Sequence, residues 1–359
     1  MNILLLSCAL NYRFFKRIFK EGHSITLLTP KRERSNLERE LARLGSERGN
    51  ITVKYLPFPF IFFLNIATSF ELFKGGIDVI LTNSPVYAFT VSGIKTVFRK
   101  KLVMFVWQPY TSYFSLNHPG LRWLTPIYNI ICHIAFRIAN RVICLSAFLE
   151  IYVRSHGAKS TKICHYYGVD TNIFKPLKTK GNGKFNILAV GRFTAEKGHH
   201  VLLEACSSLK KSFDFEIIIV GFGPLKDELK RRGEDLGLNL KLRDYMETKK
   251  LVELYNQADV FIQPSIEEGL GFTAAEALSC EVPVIASNVG GLPDIVGGYG
   301  VLVKPGDVSE LSSAISEVRA NLKGYQKKAG RGRKHIQEKF DESKTGDEFL
   351  KLLKTAYWD

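Results

Sequence analysis

Two glutamates of one glycine-containing segment have the spacing of a ligand site. Glu268 and Glu276 lie in the segment 264–278, PSIEEGLGFTAAEAL, which predicts a strand end, a tight turn and a helix. The backbone N–H groups of the turn belong to Gly269, Leu270, Gly271 and Phe272. The amino end of the helix favours a phosphate, and the two carboxylates, about two helical turns apart, can accept hydrogen bonds from vicinal hydroxyls. The alternative interpretation is a capping acid followed by a second glutamate that occurs by chance.

Two cations lie in an earlier loop, VGRFTAEKG. Arg192 and Lys197 are five residues apart, next to Gly191, after an apolar run typical of a strand. An arginine fork and a lysine point charge can converge on one diphosphate. Taken alone, however, the same pair is more typical of a solvated surface loop.

A third loop, GFGP, contains Gly221 and Gly223 between a predicted strand and a predicted helix. Glycine lets a ligand approach the backbone closely, and this spacing is half of a dinucleotide-binding fingerprint. Without further context, a simple tight turn is the favoured interpretation.

Two series of apolar runs predict the strands that position these loops. The runs lie at 2–7, 24–28, 78–82, 102–106 and 141–145, and then at 186–190, 216–220, 239–242, 260–263 and 282–286. Helix-length segments separate them, which predicts an α/β protein with two doubly wound, Rossmann-like domains. Ligands of such sheets bind beyond the carboxyl ends of the strands, so we expect the domains to face each other across a cleft. The polar segment KPLKTKGNGK at 175–184 is the predicted linker.

Composition and charge narrow the protein class. The 359 residues, 45% hydrophobic and 24% charged, are typical of an ordinary globular protein of two domains. The predicted domains span 1–178, completed by a C-terminal helix at about 341–359, and 183–340. The six cysteines show no zinc or redox spacing, which favours reduced thiols and a cytoplasmic location. The apolar N-terminus predicts a first strand rather than a signal peptide, and no apolar stretch is long enough to span a membrane comfortably.

Positive charge is concentrated in the first half of the chain. Residues 1–180 contain 25 Lys and Arg against 9 Asp and Glu, a net charge of +16, whereas residues 181–359 contain 25 against 26. A solvated basic surface is one explanation, and contact with an anionic partner such as a membrane is the other. Nucleic acid is disfavoured as a partner, because no known nucleic-acid-binding motif occurs and the charge is scattered.

The loops, in this order, resemble glycosyltransferase family 4, which has the two-Rossmann GT-B fold. The acid-x7-acid signature of that family matches Glu268 and Glu276, and its phosphate-binding cations match Arg192 and Lys197. Shorter matches lie at 20–23, 168–174, 221–224, 281–286 and 290–291. The resemblance covers nearly the whole chain.

The resemblance implies a role for each matched residue. Arg192 and Lys197 would hold the donor diphosphate, and the amides at 269–272 would contact the sugar and phosphates. Glu276 would accept hydrogen bonds from the ribose, and Glu268 would face the donor sugar. Family members act with retention of configuration, generally without a metal, and no Asp-x-Asp pair occurs in this chain. The implied partner is a nucleotide-sugar donor, with no cofactor, and the implied acceptor-binding domain is the first one.

The first domain departs from the family pattern. SCALN at 7–11 lacks the usual glycine, and Trp107 and Gln108 follow a predicted strand where a histidine is common. His118 could substitute for that histidine, although a lone loop histidine is more often an ordinary surface residue. These three residues are the acceptor-side candidates, and they do not identify the acceptor by analogy.

An aromatic segment, YLPFPFIFFLNIATSFELF at 55–73, bears on the acceptor. It is either a buried strand and helix or a segment that dips into a lipid monolayer. Together with the basic domain, the second interpretation predicts a glycan or lipid-linked acceptor and a peripheral position on the inner face of the cell membrane. Two other functions stay open: a nucleotide-sugar epimerase of the same architecture, and a non-catalytic relative that binds a donor or partner.

Overall fold

The computed structural model describes residues 1–7, 22–42, 49–57, 60–166, 168–177 and 183–358. In these ranges the strands form a seven-stranded and a six-stranded sheet, and all of their pairings are parallel. In the described residues, helices lie between successive strands of each sheet from the second strand of the chain onward, so the predicted α/β class is confirmed. The predicted features at 8–11, 20–21 and 178–182 lie outside the described residues.

The first sheet has the strand order β3-β2-β1-β4-β5-β6-β7. Its strands are β1 Asn2–Leu6, β2 Ser24–Pro30, β3 Ile51–Leu56, β4 Val79–Thr82, β5 Lys101–Val106, β6 Arg141–Cys144 and β7 Thr161–Ile163. The side chains of Ile3, Leu4, Leu5 and Leu6 are all fully buried. A continuous apolar run is what a strand needs when helices cover both faces of its sheet.

Seven helices and two 3-10 helices accompany the first sheet in the described chain before residue 160. The helices are α1 Arg34–Ala42, α2 Phe60–Phe73, α3 Pro85–Thr90, α4 Ser92–Val97, α5 Tyr110–Asn117, α6 Thr125–Ile138 and α7 Ala147–Ser155. The 3-10 helices are Lys31–Glu33 and Pro119–Leu124. Ser84 caps α3 by accepting from Tyr87 N, and Ser146 caps α7 in the same way from Leu149 N.

Five of these helices are neighbours in one layer. α2 contacts α3 and α4, and α3 contacts α6. α6 contacts α7, because Asn129 Oδ1 lies 2.8 Å from His156 Nε2 at the end of α7 and the rings of Phe136 and Tyr152 meet edge to face. Right-handed crossovers place these connections on the same face of the sheet. We call α2, α3, α4, α6 and α7, with the 3-10 helix Pro119–Leu124, the α2–α7 layer.

The second sheet has the order β10-β9-β8-β11-β12-β13. Its strands are β8 Phe185–Val190, β9 Phe215–Val220, β10 Leu240–Arg243, β11 Val260–Gln263, β12 Val284–Ser287 and β13 Val301–Val303. The helices that follow are α8 His199–Leu209, α9 Lys226–Asp235, α10 Thr248–Gln257, α11 Phe272–Ser279, α12 Leu292–Val296, α13 Val308–Ala320, α14 Leu322–Lys339 and α15 Glu342–Trp358. The strands β9, β8, β11 and β12 are consecutive in the sheet, so the loops after them lie side by side at its carboxyl edge.

The chain divides into two compact units. Unit 1 comprises Met1–Ser112, Gly120–Tyr167 and Thr345–Asp359, and unit 2 comprises Tyr113–Pro119 and Gly168–Lys344. The helix α15 packs on the first sheet: Arg141 Nη1 of β6 donates to the carbonyl of Leu352 at 3.1 Å.

The assignment of acceptor binding to the first domain and donor binding to the second stays a prediction. Over the described residues, no helix combines the length and apolarity that crossing a membrane requires.

Candidate functional site

The four loops at the carboxyl edge of the second sheet pack backbone against backbone. Gly198 has a φ of +64°, and a Cβ there would overlap the carbonyl oxygen of Pro264, so the β8 loop touches the β11 loop without intervening side chains. Gly290, with a φ of +62°, makes the same kind of contact with the carbonyl of Glu268 in the β11 loop. Only glycine combines this conformation with this proximity. The glycines therefore fix the relative positions of the chemical groups on the loops.

The β9 loop is joined to the β8 loop in a similar way. A Cβ at Gly221 would overlap the carbonyl of Gly191, and one at Gly223 would lie 2.5 Å from the carbonyl oxygen of Phe193. Phe193 N donates to the carbonyl of Phe222 at 2.8 Å. The structure thus brings the predicted residues Gly191, Gly221 and Gly223 together.

Lys197 and Glu268 form an ion pair between the β8 and β11 loops. Lys197 Nζ lies 2.7 Å from Glu268 Oε2, and the two side chains are only 18% and 12% exposed. Glu268 also accepts from Gln263 Nε2 at 2.6 Å and from its neighbour Gly269 N at 3.2 Å. Burial raises the pKa of Glu268, but the charge of Lys197 and these hydrogen bonds outweigh burial and hold that pKa below its usual value. Glu268 is therefore ionised at neutral pH.

Gln263, the last residue of β11, orients Glu268, and the sequence patterns did not identify it. Its Oε1 accepts from Thr273 Oγ1 and from Ala274 N, both at 3.1 Å, in the first turn of α11. Its amide nitrogen must then face Glu268. A polar residue closing an otherwise apolar strand, just before the glutamate loop, is the signal that could have revealed it.

Arg192 is held by a second residue that the sequence patterns missed, Glu196. Arg192 Nη2 lies 2.8 Å from Glu196 Oε1, and its Nη1 donates to Tyr113 Oη at 2.8 Å. Glu196 is 3% exposed and also accepts from Thr194 Oγ1 at 2.7 Å. The Arg192 side chain as a whole is 41% exposed, whereas that of Glu196, which fixes the direction of the guanidinium, is 4% exposed.

The backbone of Glu196 joins the same two loops as the ion pair. Its carbonyl accepts from Ile266 N at 2.8 Å and from Glu267 N at 3.3 Å. One residue thus positions the Arg192 side chain and the β11 loop that carries Glu268.

His199, at the start of α8, supports the backbone of Arg192. Its Nε2 lies 3.1 Å from the Arg192 carbonyl, and the ring is 3% exposed. Burial lowers the pKa of His199 to about 4, so the imidazole is neutral at pH 7. The neutral ring can donate to the carbonyl only from a protonated Nε2.

Glu276 lies in α11 and has a different environment from Glu268. It is 7% exposed, and its Oε2 accepts from Tyr255 Oη of α10 at 3.0 Å. The Tyr255 hydroxyl oxygen also lies 3.3 Å from the carbonyl of Thr273, and its ring packs edge to face on Phe174. The two predicted glutamates thus have separate sets of partners.

The turn before α11 follows its predicted form. Leu270 is buried, Gly271 has a φ of +107°, and the helix begins at Phe272. The amide of Gly269 donates to the carboxylate of Glu268.

The acceptor-side candidates belong to unit 1 and to a short segment assigned to unit 2. Trp107 and Gln108 follow β5 and are half-buried, and the Trp107 ring meets Phe105 edge to face. His118 follows α5, is exposed and lies with its ring 5.2 Å from that of Phe114. The roles of all three remain predictions.

One cavity lies away from these loops. A cavity of about 210 Å³ is lined by residues of β8, β9, β10 and α10 and includes the pair Lys241–Glu216, but none of the predicted site residues. In the described ranges, no three His, Cys, Asp or Glu side chains cluster as ligands for a metal ion.

Two family models match the chain. The model described as Glycosyltransferase Family 4 matches residues 11–172, and the model described as Glycosyl transferases group 1 matches residues 170–335. A putative colanic acid biosynthesis glycosyltransferase of Salmonella typhimurium is 27% identical over 234 residues, 61% of this chain and 58% of the relative. The sulfoquinovosyl transferase of Arabidopsis thaliana is 28% identical over 239 residues, 61% of this chain and 45% of the relative. The chain spans about half the length of the curated relatives that it matches.

Solved structures match over the whole chain. Sucrose-phosphate synthase from Thermosynechococcus elongatus has a TM-score of 0.82 at 20% identity and covers 99% of both chains. HepE of Anabaena, in complex with UDP, has a TM-score of 0.77 at 19% identity and covers 99% of this chain and 100% of its own. Identities this low establish the fold alone, which is the GT-B fold. With both family models matched in succession, the chain belongs to the group-1, family-4 glycosyltransferases.

Proposed function

We propose that the protein is a retaining glycosyltransferase that moves a sugar from a nucleotide-diphosphate donor to a glycan or lipid-linked acceptor. The observation that carries the proposal is the 2.7 Å pair of Lys197 and Glu268, held where the β8 and β11 loops meet. Arg192 lies on the same β8 loop, and its side chain is 41% exposed. The carboxyl edge of a parallel sheet is where ligands of such folds bind.

Arg192 and Lys197 act on the leaving group in this proposal. The bond between the sugar and the diphosphate breaks, and the diphosphate leaves with the bonding electron pair. Two fixed cations stabilise the negative charge that develops on it, and no metal is needed for that purpose. The acceptor hydroxyl then forms the new bond on the face that the diphosphate has left and gives its proton to the departing diphosphate oxygen.

The two glutamates bind different parts of the donor. Ionised Glu268, oriented by Gln263, accepts hydrogen bonds from the sugar hydroxyls. Glu276 keeps Tyr255 as one partner, and a carboxylate has enough lone pairs to accept from the ribose hydroxyls as well. A nucleotide-sugar donor is consistent with the ligands of HepE, which has been solved with UDP and with UDP-glucose.

The test is a donor screen that does not presuppose the sugar. Thermal unfolding is measured with UDP, GDP, ADP and their sugars, because a ligand at about 100 times its Kd stabilises the folded state by about 2.7 kcal/mol. We expect one nucleotide to raise the melting temperature more than the others. The matching donor is then incubated with glycan and lipid-linked acceptors, with and without a chelator, and the anomeric configuration of the product is determined by NMR.

Each contrary result has a specific meaning. No stabilisation by any nucleotide contradicts donor binding. Isomerisation of the donor without an acceptor identifies an epimerase, and stabilisation without any turnover identifies a non-catalytic relative. Loss of transfer in the chelator contradicts metal independence, and an inverted product contradicts retention.

A further inference from the structure

Exposed apolar side chains are concentrated on the α2–α7 layer of unit 1. Of the fifteen large hydrophobic side chains that are exposed in the described chain, eleven lie on this layer. A single exposed apolar residue is ordinary, but a set on adjacent helices is typical of an interaction surface.

The exposed residues follow helical spacing. On α2, Ile66, Phe70 and Phe73 are 56%, 54% and 84% exposed, while Leu64 and Thr68 are buried. Residues three or four apart share one face of a helix, so α2 turns an apolar face outward and another inward.

The same pattern runs through the 3-10 helix into α6. Trp123, Ile127 and Ile130 are 71%, 54% and 59% exposed, while Cys132 and Phe136 are buried. α6 therefore has two apolar faces, of which the outer one is covered by nothing in the described chain.

Exposed charges on this stretch have one sign. The exposed charged side chains between residues 60 and 155 are Lys74, Arg99, Arg122, Arg137 and Arg154. The acidic side chains of the same stretch, all buried or half-buried, are Glu71, Asp78 and Glu150. Glu71 is the buried partner of Lys54 and Lys74. Glu150 pairs with Arg154 at 2.9 Å and accepts a hydrogen bond from Thr161. The surface is thus both apolar and basic.

We propose that the α2–α7 layer docks unit 1 on a membrane that contains anionic lipids. The apolar side chains enter the boundary between headgroups and acyl chains, and the arginines and lysines meet lipid phosphates, as at interfacial amphipathic helices. A second copy of this chain fits the surface less well, because pairing two such layers would bring basic side chains against each other. The inference rests on the proposed function for the reason to meet a membrane, but it involves none of the four loops and can be tested without turnover.

The experiment is co-sedimentation of the full chain with vesicles of phosphatidylcholine, alone or mixed with phosphatidylglycerol, at low and high salt. The surface variant carries Trp123→Ser, Ile127→Ser and Ile130→Ser. The matched control carries Ile173→Ser and Leu177→Ser, which are exposed apolar residues outside the layer. Arg122→Gln with Arg137→Gln tests the charges, and melting curves confirm that each variant is folded.

We expect the wild type and the control to bind anionic vesicles, and the surface variant to bind at least about tenfold more weakly. The charge variant should bind anionic vesicles more weakly, and its remaining binding should depend less on salt, since salt screens only the electrostatic part. A wild type that stays in the supernatant with anionic vesicles at low salt overturns the proposal, whether or not the donor screen succeeds. So does a folded surface variant that binds like the wild type. A wild-type dimer that the surface variant abolishes in analytical ultracentrifugation would assign the layer to self-association instead.

Discussion

Glu196 contacts both loops whose residues are proposed to act on the donor, although its own side chain is buried. Its carboxylate directs Arg192, and its carbonyl accepts from the amides of the β11 loop. Because the side chain is almost fully buried, losing it would leave Arg192 without a fixed direction rather than remove a charge from solvent. A residue of this kind acts through geometry, since small displacements of a charge weaken transition-state stabilisation.

The two cations lead to the first prediction. We expect Arg192→Ala or Lys197→Ala to lower kcat/KM by on the order of a hundredfold or more, because each charge is aimed at the leaving diphosphate. Lys241→Ala, which breaks a comparable ion pair outside the loops, is the control. Steady-state kinetics on the donor found in the screen give the measurement. Full activity in both loop variants, with normal melting curves, would remove the two cations from the mechanism.

Both cations should also contribute to stability. Lys197→Ala leaves buried Glu268 without its countercharge, and Arg192→Ala does the same to buried Glu196, so both variants should melt at a lower temperature. Adding Glu268→Gln to Lys197→Ala should restore the melting temperature but not the activity.

The second prediction separates the glutamates. Glu276→Gln should weaken binding of the free nucleoside diphosphate by about tenfold, because it loses a charged acceptor for the ribose hydroxyls. Glu268→Gln should leave that affinity nearly unchanged and reduce transfer. Isothermal titration calorimetry measures the affinity of each variant for the nucleoside diphosphate, and a transfer assay measures the activity. Equal losses of affinity would show that the two roles are wrongly assigned.

Part of the candidate site could be read from residue types and part could not. Arg192, Lys197, Glu268 and Glu276 lie in segments with a family pattern, and the structure does place Lys197 against Glu268. Gln263, Glu196 and Tyr255 escaped notice because their visible role is to contact other side chains of the site, which no residue spacing reveals. A single sequence carries no mark of a partner in another element, such as Tyr255 for Glu276, which lie 21 residues apart.

At the scale of elements, the loops are constrained more tightly than the strands that carry them. A third prediction uses Gly290, whose Cβ would overlap the Glu268 carbonyl, and Gly298, which has a φ of +82° and open space around it. Gly290→Ala should lower the free energy of unfolding by roughly 3 kcal/mol or more, since strain and overlap add. Gly298→Ala should cost about 1–2 kcal/mol from its left-handed backbone alone.

Urea denaturation of both glycine variants provides the comparison. Nearly equal losses would mean that the β12 loop can move away from the β11 loop, and the close packing would then not position Glu268.

Ten predicted strands correspond to observed strands, and three observed strands were missed. β7 and β13 have only three residues each, too few for an apolar run to stand out. β3 is half-exposed along its length and includes Tyr55 and Leu56, which the sequence assigned to an aromatic segment. The remainder of that segment is α2 apart from residues 57–59, with a buried face and an exposed face, so the strand-and-helix interpretation is confirmed in part and the monolayer interpretation stays a prediction. Long apolar runs are predictable because burial on both faces demands them, whereas short or edge strands are defined by their neighbours.

At the scale of the whole molecule, acid should weaken the fold through His199. Its folded-state pKa of about 4 lies below the ordinary 6.5, so only the unfolded chain binds the proton between these values. The contribution of His199 to stability is complete above pH 6.5 and is lost as the pH falls toward 4. A pKa difference of this size corresponds to about 3 kcal/mol. The fourth prediction is that the free energy of unfolding of the wild type decreases between pH 6.5 and 5.

Urea denaturation at a series of pH values tests this dependence. His199→Gln should show a flatter profile in that window, while His118→Gln, at an exposed position, should retain the wild-type slope. An unchanged slope in the His199 variant would attribute the acid sensitivity to other groups.

The position of α15 sets the order in which the molecule can be completed during synthesis. The first sheet ends at β7, yet the helix that packs on it through Arg141, Cys164 and Tyr166 begins only at Glu342. A ribosome must therefore make all of unit 2 before the last part of unit 1 emerges. Until then the nascent first sheet lacks its contacts with α15. A chain that stops after residue 341 would lack them permanently, so the first sheet depends on a helix that is translated only after unit 2.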